Sequence, residues 1–226
     1  MRMWLDRPWR RYLYRYGCAL GLGHAKAHWQ MWLPGLKIHH SPAGEAAAWS
    51  YRGGDPIKLE PFAALSESMS AGEITIVGSG PSIRTQDFSA LPPRSAILLN
   101  GAVTLMQSHG VSPLAVMAAD EKFVWRHFAW LRQNVRPETL CCFSLASLRA
   151  LAETDYQWVR KRRVVLVQYL LKPYARPAVS LNSLALDDDV VVDSAHNTGF
   201  SLDPSRGVIQ IGSVVGAAFQ FALAAQ

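Results

Sequence analysis

The chain is poor in the features that would place it in several common classes. It has only three cysteines, Cys18, Cys141 and Cys142, two of them adjacent, so a disulfide framework is excluded and no Cys/His set has zinc spacing. Such cysteine usage fits a reducing cytoplasm. Charged residues make up 18% of the 226 and hydrophobic ones 50%, which excludes wholesale disorder and leaves enough apolar material for a sizeable core. No run of about 18 apolar residues occurs, as a membrane-spanning helix would need. The most apolar early stretch, Cys18 to Leu36, is broken by His24, Lys26, His28 and Pro34. Arg10, Arg11 and Arg15 stand where the apolar region of a signal peptide would begin, and no small-residue cleavage site follows.

Anions are nearly missing from the first forty residues, which hold seven of the 23 Lys and Arg but one of the 17 Asp and Glu. The whole surplus of +6 therefore sits there, and the other 186 residues carry sixteen charges of each sign. This distribution argues against nucleic acid as a partner, because a nucleic-acid-binding body would carry its cations on a folded face. The arm interleaves its arginines with Trp4, Trp9, Tyr12, Tyr14 and Tyr16, and continues with Trp29, Met31 and Trp32. Two readings stand side by side. Residues 1–40 contact a membrane surface, with aromatics at the headgroup layer and guanidinium groups on anionic lipid phosphates. Alternatively the arm packs on its own domain or a partner and its arginines are merely solvated.

Residues 40–72 are rich in Gly, Pro, Ser and Ala, with a turn at Gly53-Gly54-Asp55-Pro56, and read as a connector. The chain thus divides into an arm and connector, 1–72, and a domain, 73–226. Within the domain the runs Ile74–Val77, Ala96–Leu99, Leu114–Met117, Leu140–Phe143, Val164–Val167 and Val190–Val192 are nearly all apolar rather than alternating. Strands buried on both faces of a parallel sheet have this composition. Helix-compatible segments lie between them, notably Glu121 to Asn134 and Ser144 to Arg160, the second ending in a cationic run that suits a helix C-terminus. Strands alternating with helices predict an α/β fold: a Rossmann-like, mostly parallel sheet with helices on both faces. Gly212 to Ala225 carries no charge, which predicts a helix buried on every side. With neither a glycine cap nor a strand after it, the domain is expected to continue past Gln226.

The most specific local signal is a strand running into Gly78-Ser79-Gly80-Pro81-Ser82. Glycines at a strand's carboxyl end allow a tight turn and let a ligand approach main-chain N–H groups. The dinucleotide fingerprint fails at its third glycine, where Ile83 stands, and no Gly-Lys-Ser/Thr follows as in a P-loop. NAD, FAD and ATP hydrolysis are therefore disfavoured, and a plain structural turn is the remaining bland reading.

With Asp87-Phe88, Leu91-Pro92 and a second apolar run closing on Leu98-Leu99-Asn100-Gly101, this turn resembles the N-terminal signature of bacterial sialyltransferase-like glycosyltransferases. The nearest members are the Kdo transferases of lipopolysaccharide core biosynthesis. The resemblance covers residues 73–120, and 205–226 loosely. It implies transfer of a sugar acid, Kdo, from a CMP-activated donor to a lipid-linked saccharide acceptor, by an enzyme peripheral to the cytoplasmic face of the inner membrane. It implies no metal and no cofactor beyond the CMP-sugar itself. Gly78, Ser79, Gly80, Pro81, Ser82 and Asn100 fall where the family meets its donor. Asp120, at the end of the third apolar run, is placed to bond donor or acceptor hydroxyls, and Ser213 falls at a helix entrance near the nucleotide. A sialyltransferase, another nucleotide-sugar transferase and a non-catalytic nucleotide-binding module at a membrane are the alternatives.

Inverting transfer needs a general base near the acceptor hydroxyl. His196, in a polar loop with Asp193 near enough to orient it, is the candidate, against the ordinary reading of a loop histidine. Asp187-Asp188-Asp189 invites a metal reading but precedes its strand, at the edge away from the ligand, and reads as a solvated turn.

Overall fold

From residue 8 on, the basic arm is built into the fold. A computed structural model describes residues 8–70 and 72–226, so Arg2, Trp4 and Arg7, and the side chains of Trp9 and Arg10, lie outside the described residues. Helix α1 (Pro8–Leu22) is followed by a 3₁₀ helix over His24–Met31. Next come β1 (Leu36–His40), β2 (Ala46–Tyr51) and β3 (Ile57–Lys58), a three-stranded antiparallel sheet. The turn at Gly53–Pro56 connects β2 to β3. Trp49 and Leu36 are fully buried and belong to the same core as the larger sheet, so most of the expected connector is folded structure. Its glycines and prolines are hairpin punctuation rather than a linker's composition. Helix α2 (Ala64–Ser68) ends the segment.

The parallel sheet follows the apolar runs closely: β4 (Thr75–Val77), β5 (Ala96–Leu99), β6 (Ala115–Ala118), β7 (Leu140–Ser144) and β8 (Arg163–Val167). Helix α3 (Leu105–Ser108) links β5 to β6, α4 (Glu121–Asn134) links β6 to β7, and α5 (Leu145–Val159) links β7 to β8. All five strands are parallel and lie side by side in chain order. Right-handed crossovers in one direction put every linking segment on one face. The other face is covered by α6 (Val214–Ala225), which packs on β4, β5 and β6. The result is the expected Rossmann-like α/β sheet, with a sequential strand order that contains no point of reversal. Cys141 and Cys142 are fully buried in β7, where burial pushes the Cys141 thiol up to about 12. They are core residues, unreactive at neutral pH. At the outer edge of β8, Glu60 N donates to Val164 O (2.8 Å) and Arg163 forks onto the Glu60 carboxylate, which covers that edge.

Two expectations change here. Val190–Val192 does not join the parallel sheet: β9 (Val190–Asp193) pairs antiparallel with β10 (Thr198–Ser201) as a separate hairpin. Its half-exposed, alternating burial shows a strand with one face to solvent, which a three-valine run conceals. Nor is α6 buried all round. Val215, Phe219 and Leu223, four residues apart, are about half exposed, while Ala218 and Phe221 face the core. Gln220 is fully buried: its side-chain oxygen accepts from Ser201 N and Ile209 N, and its nitrogen donates to Ile209 O and Gly216 O. One polar side chain with every bond made thus ties the hairpin to the helix.

Candidate functional site

Parallel strands aim their carboxyl ends, and the turns after them, at one edge, and in open α/β sheets ligands bind there. Asn100 follows β5 in a left-handed conformation (φ 48°), which few residues other than glycine adopt. Its Oδ1 is buried without a hydrogen-bond partner, an acceptor held ready at a strained position. Asp120 follows β6 and caps α4, accepting from Lys122 N at 2.9 Å while remaining exposed. Ser144 ends β7, caps α5 through Ser147 N and donates to Ala119 O (2.8 Å), bracing two neighbouring strand ends. Tyr169 follows β8; burial first, and the Asp120 charge second, push its phenol up to about 12, so it stays protonated and able to donate.

These strand ends wall a cavity of about 590 Å³ lined by Asn100, Asp120, Glu121, Tyr169 and Lys172, by Gly212 and Ser213 ahead of α6, and by α1 and the 3₁₀ helix. Gly212 needs its glycine for a left-handed turn (φ 67°). From α1 come Arg11 and Arg15, four residues apart and so on one helical face. Arg11 Nε lies 3.1 Å from Glu121 Oε1, and Glu121 also pairs with the fully buried Arg149 of α5. Arg149 donates to Met31 O (3.0 Å) as well, so one buried guanidinium fixes α4, α5 and the 3₁₀ helix against each other. In the same wall His28 Nε2 lies 3.1 Å from Pro173 O, which makes it the donor; Nδ1 has no partner, and burial holds the imidazole below its ordinary pKa. Counting only full charges, three cations face two carboxylates, and one of those carboxylates is already engaged by arginine.

Of the residues read from the sequence, Asn100, Asp120 and Ser213 are brought together in this cavity. Gly78, Ser79, Gly80, Pro81 and Ser82 are exposed on the adjoining turn and are not part of its lining; they join it through Ser79, which abuts Gly101 beside Asn100. Neither glycine of the turn has a positive φ, and a Cβ at Gly78 would meet nothing within 4 Å, so no neighbour within the chain requires glycine there. A short 3₁₀ helix, Pro81–Thr85, follows in place of a long one. His196 is elsewhere, 79% exposed at the tip of the β9–β10 hairpin with Nδ1 2.7 Å from Asp193 Oδ2. Asp187 and Asp189 are clamped by Arg206 (2.7 and 2.6 Å), whose hydrogen bond, with a second from Asp189 N, holds the Asp187 carboxyl below its usual range. Among the described residues no group of three His, Cys, Asp or Glu is placed to hold a metal.

The sequence reading missed Arg11, Arg15, Tyr169 and Lys172. The 11/15 spacing on one helix face was the available signal; nothing in the sequence says that this face turns inward. Comparison of the chain with protein-family models, with curated proteins and with solved structures finds no match, so the glycosyltransferase resemblance rests on the residues quoted for it.

Proposed function

We propose that the chain is a transferase that binds a CMP-activated sugar acid, Kdo in the reading taken from the resemblance, and delivers the sugar to a lipid-linked lipopolysaccharide core acceptor. The observation that carries this is the cationic cavity at the carboxyl edge, where Arg11, Arg15 and Lys172 surround Asn100, Asp120 and Ser213. Such a site suits a ligand with more than one anionic group, here a phosphate and a sugar carboxylate. In the transfer, the acceptor oxygen bonds to the anomeric carbon as the bond from that carbon to the phosphate oxygen breaks. The departing CMP takes the electron pair and is stabilised by the cavity cations and the main-chain N–H groups of the glycine turn. Asp120, whose carboxylate faces the cavity, takes the acceptor's proton. His196, outside the cavity lining, has no part in this scheme.

Helix α1 supports the membrane side of the reading in an altered form. Its exposed face carries Tyr12, Leu13, Tyr16 and Leu20, the last 89% exposed, while Arg11 and Arg15 line the cavity. An apolar, aromatic face on a short helix suits the headgroup boundary of a bilayer. Among the described residues no helix is long and apolar enough to cross one.

Calorimetric titration with CMP tests the donor site: saturable binding, weakened about tenfold or more by Asn100→Ala or by Arg15→Ala, is expected. A chain that takes up no CMP, or one whose variants bind as the wild type does, refutes it. Deleting residues 1–16 would remove cavity cations together with the outward face, so the membrane test is Leu13→Ser/Tyr16→Ser/Leu20→Ser. That variant is expected to lose flotation with anionic vesicles and to keep its CMP affinity.

A further inference from the structure

The exposed ring of Trp130 is not used by anything described so far. Phe123, His127 and Trp130 stand at i, i+4 and i+7 along α4 and form a row of rings. His127 and Trp130 stack with centroids 4.2 Å apart and planes at 26°, and Phe123 lies 5.4 Å from His127. Residues at this spacing normally feed a core. Here the row runs outward, and Trp130 is left 40% exposed. His127 departs from helical geometry (φ −127°, ψ 22°), and this break sets the direction of the last turn of α4, which carries Trp130.

The ring reaches the glycine turn. A Cβ at Gly101 would lie 3.1 Å from Ser79 Cβ and 3.2 Å from Trp130 Cζ3, closer than ordinary contact for both. Gly101 is thus the residue whose missing side chain lets the indole edge and the turn meet, one position from Asn100. Asn100 lines the cavity with its cations, and the next residue, Gly101, adjoins an exposed aromatic surface and the glycine turn. A nucleoside phosphate has the same layout, with a flat base one ribose away from its anionic group.

We propose that Trp130, backed by His127 and Phe123, is the stacking platform for the pyrimidine base of the donor, with the phosphate between the Ser79 turn and the cavity cations Arg11 and Arg15 and the sugar carboxylate toward Lys172. This rests on the nucleotide-donor reading above. Stacking on an aromatic ring has no sequence of hydrogen bonds to satisfy, so it contributes affinity while the polar groups of the turn and of Asn100 orient the ligand.

The test compares CMP with ribose 5-phosphate, which keeps the phosphate and lacks the base, on wild type, Trp130→Ala and Trp130→Phe. Trp130→Ala is expected to weaken CMP by about tenfold or more and to leave ribose 5-phosphate within about twofold, while Trp130→Phe holds CMP within about threefold. Ribose 5-phosphate binding doubles as the check that the alanine variant is folded. Equal loss for both ligands, or CMP affinity unchanged in Trp130→Ala, overturns the platform and leaves the donor reading standing. Unchanged CMP affinity with slowed transfer to acceptor also overturns it, because the ring then serves the saccharide. If the wild type binds neither ligand, the donor reading falls and the platform falls with it.

Discussion

The carboxyl edge of the parallel sheet and the β9–β10 hairpin both hold arginine–carboxylate clusters, yet burial gives the two clusters different work. At the edge, Arg149 is 1% exposed and Glu121 4%, and the pair is extended by Arg11 and Glu153. At the hairpin, Arg206 is 49% exposed and clamps Asp187 and Asp189 in water. Removing one partner from a dry pair strands the other charge, whereas water replaces a lost partner at the surface. The edge cluster therefore holds the cavity wall in shape, and the hairpin cluster only trims a turn.

The sharpest way to break this contrast is to remove each arginine. Arg149→Ala is expected to cost about 3–5 kcal/mol in urea denaturation, and Arg206→Ala about 1 kcal/mol or less. Equal losses would mean that Glu121 finds water in the variant and is not sealed from it. Next in size is the double variant Arg11→Ala/Arg15→Ala, expected to weaken CMP binding by well over about tenfold while leaving the hairpin untouched. Retained affinity would return α1 to being a mere cover.

A smaller effect follows from His28, whose folded pKa is depressed by burial below its ordinary 6.5. Between the two values the unfolded chain binds more protons than the folded one, so this contribution is present above about pH 6.5 and is lost as pH falls toward the folded pKa. Thermal midpoints at about pH 5 and pH 8 should separate by more in the wild type than in His28→Gln. The smallest effect is expected of His196→Ala: stability within about 0.5 kcal/mol and unchanged CMP affinity, because the ring sits in solvent at the hairpin tip. A large loss of transfer in that variant would bring the hairpin back into the site.

The strands of the parallel sheet were legible because burial on both faces leaves a mark that needs no partner: Ala96–Leu99 is the observed β5, and Leu140–Phe143 lies within β7. Glu121–Asn134, read as helix-compatible because it lies between two apolar runs, is the observed α4, and the structure adds that Asp120 caps it. The failures share one cause. Val190–Val192 has the composition of a buried strand, but its pairing with Thr198–Ser201 is a tertiary fact. The stretch before β4 is punctuated like a linker, but its Trp49 finds a core to enter. The candidate site divides the same way: Asn100, Asp120 and Ser213 could be named from strand and helix ends, whereas Arg11 and Lys172 are remote in sequence and meet them only by docking.

The amino-acid order alone determined which segments must be buried and where the backbone must turn, since hydrophobic periodicity and turn chemistry act over a few residues. Tertiary structure alone decided that Arg11 and Arg15 line the cavity, that the valine run pairs outside the main sheet and that the indole of Trp130 lies open beside the glycine turn. Those outcomes depend on contacts between residues far apart in the chain, and no local pattern encodes which of several possible faces a helix or strand will bury.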